Sequence, residues 1–118
     1  MTAGNKDRKD NRKASQVIER LFAVIESRRA ADPATSHTAD LFAKGRDVIA
    51  RKVGEEAMEV VIEGARGNRR KLVSESADLM YHLLVLWADA GIEPDDVWEE
   101  LARREGTSGI EEKQSRGR

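Results

Sequence analysis

Two acidic clusters stand out by residue type and spacing: Glu55-Glu56-x-x-Glu59, and further along the chain Glu75-x-x-Asp78. Both lie in helix-favouring sequence. At about 100° per residue, Glu56 and Glu59 fall on one side of a first helix, and Glu75 and Asp78 share a side of a second. Each acidic face borders apolar positions, where unpaired carboxylates are costly to desolvate. Like charges converging from two helices would force one carboxyl to protonate unless a cation joined them. The chemistry implied is that of a hard divalent cation in an oxygen-rich site, Mg²⁺ with Mn²⁺ as its substitute, in an enzyme.

A helical wheel locates these groups against the apolar positions. With Glu55 at zero, Glu59 lies near ~40°, Glu63 near ~80° and Glu56 near ~100°, with Val60 and Val53 at ~140–160° on the expected inner side. With Glu75 at zero, Asp78 lies near ~300° and His82 near ~340°, beside Leu79 and Leu86 at ~20–40°. Taken alone, Glu55, Glu59 and Glu63 have the spacing of a solvated face. It is the pair of clusters on neighbouring helices, each against an apolar face, that argues for a cation. His82, one turn beyond Asp78, has two readings: it orients a ligand carboxylate from a second shell, or it is a core or interface histidine with a satisfied hydrogen bond.

The elements that must position these groups follow from periodicity and punctuation. Ser15 caps a helix over about 16–30, carrying Val17, Ile18, Leu21, Val24 and Ile25 at helical spacing, and Asp32-Pro33 ends it. A short segment, Ala39 to Ala43, follows a loop with Thr38 or Ser36 as its cap, and Lys44-Gly45 interrupts the pattern. A long helix is expected over about 47–65, with Val48, Ile49, Val53, Ala57, Val60 and Val61 inward. The turn Arg66-Gly67-Asn68 leads into a helix over about 69–90. That helix, with Leu72, Val73, Leu79, Met80, Leu83, Leu84, Leu86 and Trp87, is apolar over so much of its circumference that it belongs at the bundle centre or at a subunit interface. The short turn makes the two long helices antiparallel neighbours, so the acidic clusters can meet at one height. Gly91 ends the second, and Pro94 suits the first turn of a last helix over about 94–104 with Val97, Trp98 and Leu101. No stretch alternates like a strand. The expected fold is all-α: a small antiparallel bundle of four to five helices, completed by dimerisation.

Composition narrows the function classes. The 21 Lys+Arg against 22 Asp+Glu leave a net charge of −1, so no global field points to nucleic acid or to an acidic membrane surface. Charged residues at 36% and aromatics at 4% suit amphipathic helices rather than a β-sandwich. No apolar run approaches the roughly 18 residues of a membrane span, and the N-terminus lacks the hydrophobic segment of a secretory signal. Zero cysteines exclude disulfides, thiolate zinc sites and a cysteine nucleophile, and fit a cytoplasmic protein. Residues 1–14 read as a disordered polar tail, 15–106 as one domain and 107–118 as a second tail.

The pattern E-E-x-x-E, spacer, E-x-x-D resembles the signature of the all-α nucleotide pyrophosphohydrolases, the MazG-type superfamily. Over SHTADLFAKGRDVIARKVGEEAMEVVI and ESADLMYHLLVLWADAGI the chain resembles the phosphoribosyl-ATP pyrophosphohydrolase family of histidine biosynthesis, and DDVWEELARREGTSG continues the match. The resemblance implies Mg²⁺-dependent hydrolysis of the bond between the α and β phosphates of 1-(5-phosphoribosyl)-ATP, giving phosphoribosyl-AMP and pyrophosphate. It implies Glu56, Glu59, Glu75 and Asp78 as metal ligands, Glu55 as the group that holds or activates the attacking water, and a homodimer. For phosphate binding the candidates are Lys44, Arg46 and Lys52, with Arg103, Arg104 and Lys113 further off; Gly45 and Gly54 form no P-loop. His37 departs from the family, which often has an aromatic between Ser36 and Thr38. Without cysteines for a zinc-dependent cyclohydrolase domain, a stand-alone hydrolase is expected. The alternative on the same chemistry is a house-cleaning hydrolase of (d)NTPs.

Overall fold

Short links and positive-φ glycines set the architecture. The computed structural model describes residues 16–106 together with Gln114. Residues 16–106 hold five helices and no strand: α1 (residues 16–27), α2 (His37–Lys44), α3 (Arg46–Arg66), α4 (Arg69–Asp89) and α5 (Pro94–Arg104). The expected tail over 1–14, the Ser15 cap and all of the expected tail over 107–118 but Gln114 lie outside the described residues.

Each boundary has a local cause. The first helix stops three residues sooner than expected, with 28–30 in turns. Ser36 caps α2 by accepting from the Ala39 N–H at 3.1 Å, which starts that helix earlier than the Ala39–Ala43 segment expected. Thr38 does not cap; it is buried, and its hydroxyl bonds Tyr81 of α4. Gly45 alone separates α2 from α3, at φ 100°, a region a side chain would resist. Gly67 closes α3 in the left-handed conformation, its N–H donating to the carbonyls of Glu63 and Gly64. Asn68 then opens α4 by accepting from the Lys71 N–H. Two residues thus join two helices of 21 residues each, which makes α3 and α4 an antiparallel hairpin.

The core lies towards the open end of that hairpin, where α1 and α2 cover it. Phe22, Ile25, Leu41, Ile49, Leu84, Val85 and Ala88 form one buried cluster. Arg29 ties three elements together there: its guanidinium stands 4.6 Å from the Phe42 ring centroid and donates to the Ala88 carbonyl near the end of α4. A cation at a helix C-terminus also offsets the helix dipole. On the far side, α5 starts with buried Pro94 and a reciprocal cap between Glu93 and Asp96. Its Trp98 meets Trp87 edge-on at 6.0 Å between centroids.

One expectation is corrected. Val61 does not face inward; it is 61% exposed. The inner stripe of α3 is instead buried Ile49, partly buried Glu56 and buried Glu63, spaced by seven residues. Seven steps of about 100° return to almost the same direction, so these three share one line facing α4. Val61 lies two residues from Glu63, some 200° around the helix, and is carried to the back.

Candidate metal centre

The hairpin brings the two acidic motifs to one level. Glu56 projects from the inner stripe of α3 with its side chain only 15% exposed. Glu75 and Asp78 stand one turn apart on α4. Ligand oxygens of Glu56, Glu75 and Asp78 lie within 4.8 Å of one another, from three side chains on two helices. Among the described residues this is the one such grouping that the structure assembles.

Glu75 is the electrostatic focus. Desolvation, then the charges of Asp78, Glu59, Glu56 and Glu63, push its carboxyl above the usual carboxylate range. A group so crowded by anions is relieved by a cation of high charge density. The donor set is all oxygen, which fits Mg²⁺ or Mn²⁺ rather than a soft metal.

The other expected site residues divide into near and far. Glu59 is exposed and within electrostatic reach of Glu75, but outside the close trio. Lys52 puts its ammonium 3.7 Å from Glu55 and 3.8 Å from Glu56, so it borders the centre directly. The Glu55 side chain is more than half exposed.

Lys44 and Arg46 are engaged elsewhere. Lys44 pairs with Asp40 at 2.8 Å within α2, and Arg46 bonds both the carboxylate and the carbonyl of Asp89. Arg46 lies ten residues before Glu56, which is about 15 Å along the helix axis. Arg103 and Arg104 both bond Glu100 on α5, and Lys113 falls outside the described residues.

His82 is buried and donates from Nδ1 to the Asp78 carbonyl at 2.8 Å, so it contacts the ligand helix backbone rather than the ligand carboxylate. Its Nε2 is buried without a partner. The His37 ring meets it edge-on at 6.0 Å.

Sequence reasoning missed Glu63. Its spacing groups it with Glu55 and Glu59 on a solvated face, yet it is 6% exposed. The signal is the seven-residue step that runs from Ile49 to Glu56 and from Glu56 to Glu63. A separate cleft of about 390 Å³ opens between α1 and the start of α5. Glu19, Glu93, Asp95, Asp96 and Glu99 line it together with Phe22 and Pro94.

With this geometry in place, the likeness to known proteins is specific. The profile of the family described as phosphoribosyl-ATP pyrophosphohydrolase matches residues 18–105. The chain belongs to that family. A relative from Azospirillum brasilense, called phosphoribosyl-ATP pyrophosphatase, is 60% identical over 103 residues, covering 87% of this chain and 93% of that protein. Proteins of the same name from Gluconobacter oxydans and Paramagnetospirillum magneticum are each 58% identical, over 85% and 88% of this chain and 75% and 95% of their own lengths. The matched span contains every helix from α2 to α5, and with them both acidic motifs of the family member described here.

Proposed function

We propose that this chain hydrolyses the α–β phosphoanhydride of 1-(5-phosphoribosyl)-ATP to phosphoribosyl-AMP and pyrophosphate, the second step of histidine biosynthesis, in the cytoplasm. The observation that carries the reading is the convergence of Glu56, Glu75 and Asp78 within 4.8 Å, in a member of a family named for this reaction. Glu56, Glu75 and Asp78, with Glu59 beside them, hold the divalent cation. When bound, Mg²⁺ neutralises the phosphate oxygens and polarises the scissile bond. Glu55 holds the attacking water and takes its proton, so that hydroxyl joins one phosphate as the bridging bond breaks. Lys52, beside Glu55 and Glu56, supplies a positive charge to the phosphates once the substrate displaces it from those carboxylates.

The working unit is a homodimer on this reading. Met58, Val61, Ile62, Val73 and Met80 leave a large apolar area exposed on the outer side of α3 and on α4. Faces of this kind on a small domain mark association surfaces, and a second copy offers the same surface in return.

Pyrophosphate release from phosphoribosyl-ATP, with Mg²⁺ and with excess chelator, tests the activity beside ATP and dNTP controls. Cation-dependent release selective for phosphoribosyl-ATP supports the reading. Faster turnover of a dNTP moves the chain to house-cleaning hydrolysis, and silence on every substrate removes the enzymatic reading.

A further inference from the structure

The cleft between α1 and the start of α5 lies apart from the acidic motifs, with no lining residue on α3 or α4. Phe22 and Pro94 are buried and form its floor; its five acidic residues are exposed around them. Two of these carboxylates have local work, because Glu93 and Asp96 make the reciprocal cap of α5. The other three, Glu19, Asp95 and Glu99, have no ion pair among the described residues. Like charges gathered around an apolar floor repel one another, and cations brought to them from another part of the chain would offset that repulsion.

A source of such cations adjoins the cleft. Residues 6–13 carry Lys6, Arg8, Lys9, Arg12 and Lys13 against Asp7 and Asp10, a net charge of +3. The described part of α1 begins at residue 16, about one turn before Glu19. At about 3.3–3.6 Å per residue of extended chain, the three steps from Gln16 back to Lys13 reach about 10 Å. The segment 107–118 is a poorer match. It carries a net charge of only +1 and follows the far end of α5, about 15 Å along the axis from Pro94. The family profile begins at residue 18, so the basic segment is particular to this chain while the cleft lies within the matched span.

We propose that residues 6–13 dock in the α1–α5 cleft of their own chain, their Lys and Arg groups pairing with Glu19, Asp95 and Glu99. The aliphatic stems of those side chains cover Phe22 and Pro94, as long basic residues do when an apolar surface lies beneath a charged rim. The docked segment fastens α5 to α1 across the gap that separates them. Its charges stay at the solvent boundary, so the contact weakens with salt as the screening length falls from about 10 Å at 0.1 M to about 3 Å at 1 M. The contact is independent of the cation and of the reaction proposed above.

The test places a nitroxide on the segment. The chain has no cysteine, so Asn11→Cys in the full-length protein gives a single attachment point. At about 0.1 M salt the label should weaken the amide resonances of residues 93–99 about twofold or more relative to its reduced form, and at about 1 M salt it should not. Glu19→Gln combined with Asp95→Asn and Glu99→Gln, all at exposed positions, should abolish the weakening at low salt, with helicity confirming the fold. Weakening confined to the first turn of α1, or centred on α3 and α4, overturns the proposal. So does weakening at 93–99 that survives the triple substitution in a folded protein. A mixture of nitroxide-bearing chains with isotope-labelled chains lacking the cysteine separates one chain from two. Weakening at 93–99 in that mixture gives the cleft to a second copy's segment and overturns docking within the chain.

Discussion

At its open end the α3–α4 hairpin buries Ile49, Leu84 and Val85 completely beneath α1 and α2; nearer the Gly67 turn it leaves Met58, Val61 and Val73 more than half exposed. The same two helices run through both regions, and the polarity of their faces changes between them. At the open end the inward residues are apolar. Towards the turn, Glu56, Glu63 and Glu75 stand inward or half-buried, while valine and methionine point out. One region closes a fold, and the other presents a charged site with an apolar flank. A helix pair rooted at one end by a dry core can hold repelling carboxylates at the other, because the stability is supplied elsewhere.

The strongest way to break this contrast is at the core. Leu84→Ala should cost about 2–5 kcal/mol in denaturant unfolding, as a fully enclosed leucine leaves a cavity. A loss below about 1 kcal/mol would show that the open end does not hold the fold. At the acidic end the expected signature is the reverse. On the proposed reading of Glu75 as a cation ligand, Glu75→Gln should lower pyrophosphate release at least about a hundredfold. In chelator its melting temperature should be no lower than that of the wild type, because the substitution removes a carboxyl crowded by four others. A marked drop in chelated stability would make Glu75 a structural group.

The apolar flank gives a smaller effect of a different kind. Met58→Ser with Val61→Ser should halve the mass seen in sedimentation, since both side chains project where a second copy would pack. Secondary structure should persist, as exposed positions contribute within about 0.5 kcal/mol to the isolated fold. An unchanged mass would move the interface to another face.

The smallest effect lies on α5, where a carboxylate is paired instead of crowded. Bonds from Arg103 and then Arg104 hold the Glu100 carboxyl down to about 2. Its unfolded counterpart binds a proton near 4.5, so between those values the unfolded state carries more protons and stability rises with pH. The contribution is present above about 4.5 and lost as pH falls towards about 2. Glu100→Gln should therefore flatten the acid limb of a stability–pH curve slightly, and leave it unchanged near neutrality. Identical acid limbs would mean that solvent screens the pair away.

Much of the site could be read from residue types alone. Glu56, Glu75 and Asp78 were legible because motif spacing and a short turn leave little freedom in how two helices meet. Lys52 was legible for the same reason, being one turn from Glu56 on the same helix. Arg46 was not, because its partner Asp89 is distant in sequence and becomes adjacent only when the hairpin closes. Glu63 was misplaced because a wheel centred on the valines rotates the inner face away from Glu56, and helix phase is set by the partner helix, not by apolar count.

The sequence by itself determined the helices, their order, the antiparallel hairpin and the acidic motifs, since these depend on local capping, glycine at positive φ and residue spacing. Only the tertiary structure decided which side of α3 turns inward, which cations are already engaged, and that the Glu63 carboxylate is buried. Those outcomes depend on packing between segments far apart in the chain, where a rotation of half a helical face moves a residue from solvent to interior without altering any local preference.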